Sequence, residues 1–168
     1  MEKLWSPWRS KYIDTFKPVN SKESEECLFC RVIKENKDKE NFLLHRAKHS
    51  FIMMNLYPYN AGHLMIIPYK HTGSLAELSD EENLECMKMM TIGCEILKES
   101  FLPHGFNIGS NIGRVAGAGI DKHIHFHIVP RWDGDTNFMP VLNDIKIISQ
   151  AMEDTYQSLV KSLSKALK

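Results

Sequence analysis

The chain has 168 residues, which suits one domain (1–168) with a true hydrophobic core. Its 21 basic and 21 acidic side chains cancel, so no strong field steers it toward nucleic acid or anionic lipid, and a small ligand in a local positive site fits better. No apolar run approaches the ~20 residues of a membrane span, Met1 to Trp5 lack a signal-peptide core, and four cysteines without a secretory signal point to the cytoplasm.

Residues 1–26 read as an N-terminal extension. Trp5, Trp8, Tyr12 and Phe16 make its first part too aromatic for a solvated tail, so it is expected to pack along the domain surface; the alternative is that Trp5 or Trp8 reaches the ligand or a partner subunit. Residues 17–26 are polar and loop-like. Cys27-Leu28-Phe29-Cys30 follows, a spacing compatible with a redox pair, half of a zinc site, or coincidence. A thioredoxin-like redox pair wants a βαβ context, which is missing, and a structural zinc site needs two further ligands, typically histidines.

Residues 42–45 and 51–55 read as paired strands around a short turn, with His45 and His49 on the solvated surface. Period two puts Phe51, Met53 and Asn55 on one face of the second strand, and His63, Met65 and Ile67 on one face of the strand that follows. Two methionines beside an amide and an imidazole suit a nucleoside, although spacing alone favours ordinary core for Met53 and Met65.

Residues 80–100 form the clearest helix, with Ser79 as its cap and Glu82 completing a capping box. Its apolar stripe, Leu84, Met87, Thr91, Cys94, Leu97 and Phe101, is expected to lie on the sheet, and Cys86 and Cys94 read as structural. Residues 106–112 form a strand that carries Asn111 to the mouth of a glycine loop, Gly113 to Gly119. Such glycines let backbone N–H groups approach an anion. The Asn111 amide is a candidate donor to a phosphate or ribose oxygen, with a purely local turn role as the alternative.

His123-Ile124-His125-Phe126-His127-Ile128-Val129 alternates with the period of a half-buried strand. Three imidazoles then share one face at intervals of about 6.5–7 Å, opposite an apolar stripe. Folding does not need three ionisable rings in a row, so the row reads as a site. It suits either a mononuclear metal centre or an imidazole nucleophile whose neighbours handle charge and protons. The anion cradle just upstream favours phosphate chemistry. Pro130-Arg131-Trp132 then sets a guanidinium and an indole at the strand's end, and after an irregular stretch Ser149 caps a last helix, 149–167, striped with Met152, Tyr156, Leu159, Leu163 and Leu167. That face is expected to cover the domain's own sheet or a second subunit. The elements form a meander, so the fold class is α+β, an antiparallel sheet with packed helices.

The histidine row resembles the hallmark of the histidine triad nucleotide hydrolases and transferases. The likeness extends to Gly62 to Pro68, Pro130 to Trp132, Leu4 to Arg9 and Asn55 to Asn60, stretches similar to the branch that cleaves diadenosine tetraphosphate. The resemblance implies a sheet of about five strands, commonly in a homodimer. It implies attack by the middle histidine, here His125, on the α-phosphorus to form a nucleotidyl-histidine, with His127 binding phosphate oxygens and helping to protonate the leaving group. Met53 and Met65 would hold the base, and Asn55 the ribose beside His63. Asn111, Gly117, Gly119 and Trp132 would serve the phosphates. It also implies a structural Zn²⁺ on Cys27, Cys30, His71 and His123, far from the attacking nitrogen, and no organic cofactor. The expected ligand is a dinucleoside polyphosphate or a mononucleotide. The alternatives are a nucleoside phosphoramidase, a nucleotide-binding regulatory module with incidental catalysis, and a metal-only hydrolase. Hydrolytic members often carry a glutamine in the glycine loop; here the loop has small residues and one residue more, though not the serine of the phosphorylase branch near Gly119. The balance leans toward inorganic phosphate rather than water as acceptor, seated near Trp132 and Arg131.

Overall fold

The computed structural model describes residues 26–135 and 150–167; the aromatic and polar stretches before residue 26, and Ser149 with the irregular stretch before it, lie outside the described residues. Among the described residues the chain forms α1 (Leu28–Glu35), β1 (Leu43–Arg46), β2 (Ser50–Met54), β3 (Leu64–Pro68), α2 (Asp80–Phe101), β4 (Gly105–Gly109), β5 (Phe126–Arg131) and α3 (Met152–Ala166). The strands make one sheet in the order β1-β2-β3-β5-β4, with every neighbouring pair antiparallel. The expected α+β class and five-stranded antiparallel sheet are both found.

Strands β2 and β3 are apolar at almost every position because both of their faces are covered. Even-numbered residues, among them Ile52, Met54, Leu64, Ile66 and Ile128, pack under α2 and α3. Odd-numbered residues, Phe51, Met53, Met65 and Ile67, meet Phe29 and Val32 of α1 on the other face. Burial of side chains of this size stabilises by roughly 1.5–3 kcal/mol each, so the central strands are the rigid frame of the molecule.

The cap of α2 is as expected. Ser79 Oγ accepts the Glu82 N–H at 3.2 Å, and Glu82 Oε2 accepts the Ser79 N–H at 2.8 Å. The phase of its stripe is not as expected. The buried residues are Cys86, Met89, Met90, Gly93, Ile96 and Leu97, whereas Leu84 and Met87 are 56% and 60% exposed. Gly93 explains the rotation: a Cβ there would lie 2.5 Å from Ile128 Cδ1, so the helix descends onto the sheet at its one residue without a side chain. Met87, Met89 and Met90 are equally apolar, and nothing in their spacing distinguishes the buried ones. Helix α3 has Ala151 rather than Ser149 at its N-cap position. It packs on its own domain, with Ser100 Oγ donating to Ser162 Oγ at 2.8 Å and the Tyr156 hydroxyl donating to the Leu43 carbonyl at 3.0 Å.

The triad strand is shorter than its alternation suggests. The ladder begins at Phe126, so His123, Ile124 and His125 precede it. Those residues are held individually: the Ile124 N–H donates to the Thr72 carbonyl at 2.6 Å, and the Ser110 hydroxyl donates to the His125 carbonyl at 2.8 Å.

Candidate functional site

Sheet register assembles the site. Leu43 pairs with Met53, Met53 with Met65, Met65 with His127, and His127 with Gly109. Side chains in one such row share a face, so the two methionines and the last triad histidine lie side by side on the face that α1 partly covers. A cleft of about 580 Å³, counted to its open mouth, occupies that face. Met53, Asn55, Met65, Asn111, Gly117, Gly119, His125 and His127 all line it, as the sequence suggests. Leu28, Phe29, Leu56, Tyr57, Tyr59 and Ile120 line it as well and were not foreseen. The signal for two of these lay inside the Cys-x-x-Cys spacing, whose middle residues, Leu28 and Phe29, are apolar.

His125 is buried, and its Nδ1–H donates to the carbonyl of His123 at 2.9 Å. That bond leaves the lone pair on Nε2. Burial pushes the ring's pKa down from its ordinary value, so the ring is neutral and nucleophilic at neutral pH.

His63 and Trp132 stand elsewhere than expected. His63 is 1% exposed and sits behind His127 rather than on the cleft wall, with its Nδ1 accepting the Tyr59 N–H at 3.1 Å. A backbone N–H can only donate, so His63 carries its own hydrogen on Nε2. That nitrogen lies 3.0 Å from Nδ1 of His127 and donates to it. His127 therefore carries its hydrogen on Nε2, a buried atom with no hydrogen-bond partner among the described residues. The Tyr59 amide thus fixes, through two imidazoles, a neutral N–H donor in the wall of the cleft. Burial, reinforced by the charge of His125, pushes the His127 pKa down to about 4. Trp132 is not in the lining; its indole N–H donates to the Phe101 carbonyl at 3.3 Å.

Arg131 is also committed elsewhere. Its Nε and Nη2 donate to the Asp135 carboxylate at 2.6 and 2.7 Å, and its Nη1 donates to Asn107 Oδ1 at 2.6 Å. Asp135 further accepts from Asn60 Nδ2 and from the Trp132 N–H. These donors, Arg131 foremost, hold its carboxyl far below the usual range. The pair, with Asn60, is a brace between β5 and the turn before β3. The glycine loop, where the sequence leads one to expect an anion cradle, lies between β4 and β5. There Gly113 (φ 82°) and Gly117 (φ 90°) bracket a single helical turn in a conformation that side chains resist.

Cys27, Cys30, His71 and His123 meet at the edge of this site, their ligand atoms all within 4.8 Å of one another. A tetrahedral ion with bonds of about 2.3 Å to sulfur and about 2.0 Å to nitrogen sets nitrogens about 3.3 Å apart and nitrogen and sulfur about 3.5 Å apart. The structure has His71 Nδ1 and His123 Nδ1 at 3.3 Å, Cys27 Sγ and His123 Nδ1 at 3.3 Å, and Cys30 Sγ and His71 Nδ1 at 3.4 Å. His123 Nε2–H donates to the Pro68 carbonyl at 2.9 Å, which leaves the Nδ1 lone pair for the cluster. Burial, then the neighbouring Cys27, push the Cys30 thiol up. The four residues could hold a metal ion. The cluster and the candidate nucleophile share His123, which contributes its ring to one and its carbonyl to the other.

A family model described as the HIT domain matches residues 36–134. The chain is 37% identical over 162 residues to a Mycobacterium tuberculosis protein named AP-4-A phosphorylase, covering 95% of this chain and 83% of that protein. It is 31% identical over 105 residues to an adenosine 5'-monophosphoramidase of Schizosaccharomyces pombe, covering 62% of this chain and 74% of that one. Among solved structures, a Zn-bound histidine triad family protein from Mycobacterium smegmatis matches with a TM-score of 0.68 at 23% identity, over 83% of this chain and 94% of that one.

Proposed function

Because the chain belongs to the histidine triad (HIT) family, a family of nucleotide hydrolases and transferases, we propose that it cleaves dinucleoside polyphosphates of the diadenosine tetraphosphate type through a nucleotidyl-histidine on His125. The observation that carries this reading is the pair of fixed tautomers, a lone pair on His125 Nε2 and a hydrogen on His127 Nε2, lining one cleft.

In the first step His125 Nε2 bonds to the α-phosphorus and the bond to the bridging oxygen breaks, so the polyphosphate half departs with the electron pair. His127 donates its Nε2–H to the phosphate oxygens and to the departing oxygen. The positive charge that His125 acquires is shared with the His123 carbonyl through Nδ1–H. Backbone N–H groups of the glycine loop, with the Asn111 amide, stabilise the charge that grows on the non-bridging oxygens. In the second step an oxygen of phosphate or water bonds to the phosphorus, the N–P bond breaks with its electron pair returning to His125 Nε2, and any proton on the incoming oxygen passes to His127 Nε2, which restores both rings to their neutral forms. Met53 and Met65, with Leu28 and Phe29, provide an apolar bed for the base, and Asn55 serves the ribose.

Cys27, Cys30, His71 and His123 would hold zinc, which when bound would tie the first turn of α1 to the sheet; the donor set of two sulfurs and two imidazoles supports this. A homodimer is proposed through the outer edge of β4, whose Ile108 is 51% exposed. No helix among the described residues is long and apolar enough to cross a membrane, and the cytoplasm is the proposed location.

The relative named AP-4-A phosphorylase and the small-residue loop favour phosphate as acceptor. Incubation of diadenosine tetraphosphate with and without inorganic phosphate tests the proposal. Phosphorolysis yields ADP and ATP, and hydrolysis yields AMP and ATP. Release of neither, with adenosine 5'-phosphoramidate cut instead, replaces this reading by the phosphoramidase one.

A further inference from the structure

Cys27 and Cys30 bracket Leu28 and Phe29, so two residues of the metal cluster and two residues of the cleft wall share the start of α1. Phe29 is 1% exposed, and its ring lies edge-on to His123 at 5.3 Å and to His125 at 5.1 Å between centroids. His123 joins the two sites from the other side: its Nδ1 faces both sulfurs, and its carbonyl holds the Nδ1–H of His125. Among the described residues the helix is otherwise held toward its far end, by Ile33 packed on the core and by Arg46 Nη1 donating to the Ile33 carbonyl at 3.3 Å. It has eight residues, no side-chain cap at its start, and only Phe29 and Val32 buried. A helix that short does not persist on its own backbone bonds.

We propose that Phe29 is a positioning residue for His125 and for the cleft wall, kept in place by the Cys27, Cys30, His71 and His123 cluster, so that cation binding and nucleotide binding are thermodynamically linked. The inference rests on the nucleotide reading of the cleft given above. Two states differ in the first turn of α1, which is either seated against the triad segment or released from it. A cation that gathers both sulfurs around His71 and His123 favours the seated state. A nucleotide base packed on Leu28 and Phe29 favours the same state. Either ligand then lowers the ordering cost of the other, and linkage demands an equal effect in both directions.

The experiment uses the full chain, zinc, and AMP, a mononucleotide with no polyphosphate leaving group to lose. AMP affinity is measured by calorimetry on zinc-loaded protein and on reduced, chelator-stripped protein. Zinc affinity is measured by competition with a chromogenic chelator, with and without saturating AMP. Stripping is expected to weaken AMP binding about tenfold, and AMP to tighten zinc by the same factor, within the usual range of such couplings. Equal AMP affinity in loaded and stripped protein with unchanged circular dichroism overturns the linkage and leaves the nucleotide reading standing. Failure of AMP to bind zinc-loaded protein overturns both. If stripping unfolds the chain, Phe29→Leu decides, because it keeps every ligand of the cluster. Its zinc affinity should persist while the AMP effect on it shrinks below about twofold; an undiminished effect overturns the role of Phe29.

Discussion

His125 and His127 both turn Nε2 to the chemistry, the first as a bare lone pair and the second carrying a hydrogen, and that difference sets what each substitution does. Replacing His125 with Asn removes the bond-forming nitrogen but little of the wall. Turnover should fall by at least about a thousandfold, as losing a nucleophile does, while AMP binds within a few-fold of normal; a labelled nucleotidyl adduct found on His127 instead would falsify the assignment. His127 is neutral in the fold because burial lowers its pKa from 6.5 to about 4. The unfolded chain therefore binds the extra proton first as pH falls. The stability that His127 contributes is present above about pH 6.5, declines as pH drops toward 4, and is roughly 3 kcal/mol by linkage. Urea titrations at pH 7.5 and 4.5 should show a smaller acid loss for His127→Gln than for the parent chain. Alternation marked these two rings as members of one row, and their proposed roles come from the family resemblance that the row carries. The place of His63 was not readable, because period two gives the face of a strand and not the depth of a side chain. His63 precedes β3 and lies under the His127 ring.

At the scale of elements, the site depends on how closely the segment after β3 approaches the triad segment. The Thr72 carbonyl accepts the Ile124 N–H, and a Cβ on Gly73 would lie 2.6 Å from the Asp121 carbonyl oxygen. A main-chain atom cannot turn aside as a side-chain tip can, so Gly73→Ala should push the His71 segment outward at a cost of about 1–3 kcal/mol. The expected signature is weaker zinc retention in a chelator competition, with the far-ultraviolet circular dichroism unchanged. Retention equal to the parent's would show that the segment yields elsewhere. The sequence resolved elements wherever a local rule was strong, as in the Ser79–Glu82 capping box and the apolar runs of β2 and β3. It misplaced the face of α2, where the deciding fact is a glycine fitted against a side chain 35 positions further along, Gly93 on Ile128. The start of β5 at Phe126 was hidden for the same reason, since alternation continues through residues that have left the ladder.

Across the whole molecule, α2 and α3 cover one face of the sheet, while the other holds α1 and the cleft. Strand β4 remains at an edge. If two copies join there, Ile108→Lys places a charge on the joining edge, the device by which edge strands are kept apart. Light scattering should then report a monomer where the parent is a dimer, with thermal unfolding little changed; a parent that is itself monomeric disposes of the proposal. The transverse row Met53–Met65–His127–Gly109 has a further consequence, for the order in which the molecule comes into being. Its members lie as much as 74 positions apart in the chain, so they meet only once distant segments have paired, a slow class of event. A ribosome-bound chain exposed as far as residue 110 can close the β2–β3 hairpin and display both methionines, yet it has no triad. Nucleotide capture by a nascent chain therefore reports that β5 has been inserted between β3 and β4, the step that completes the sheet.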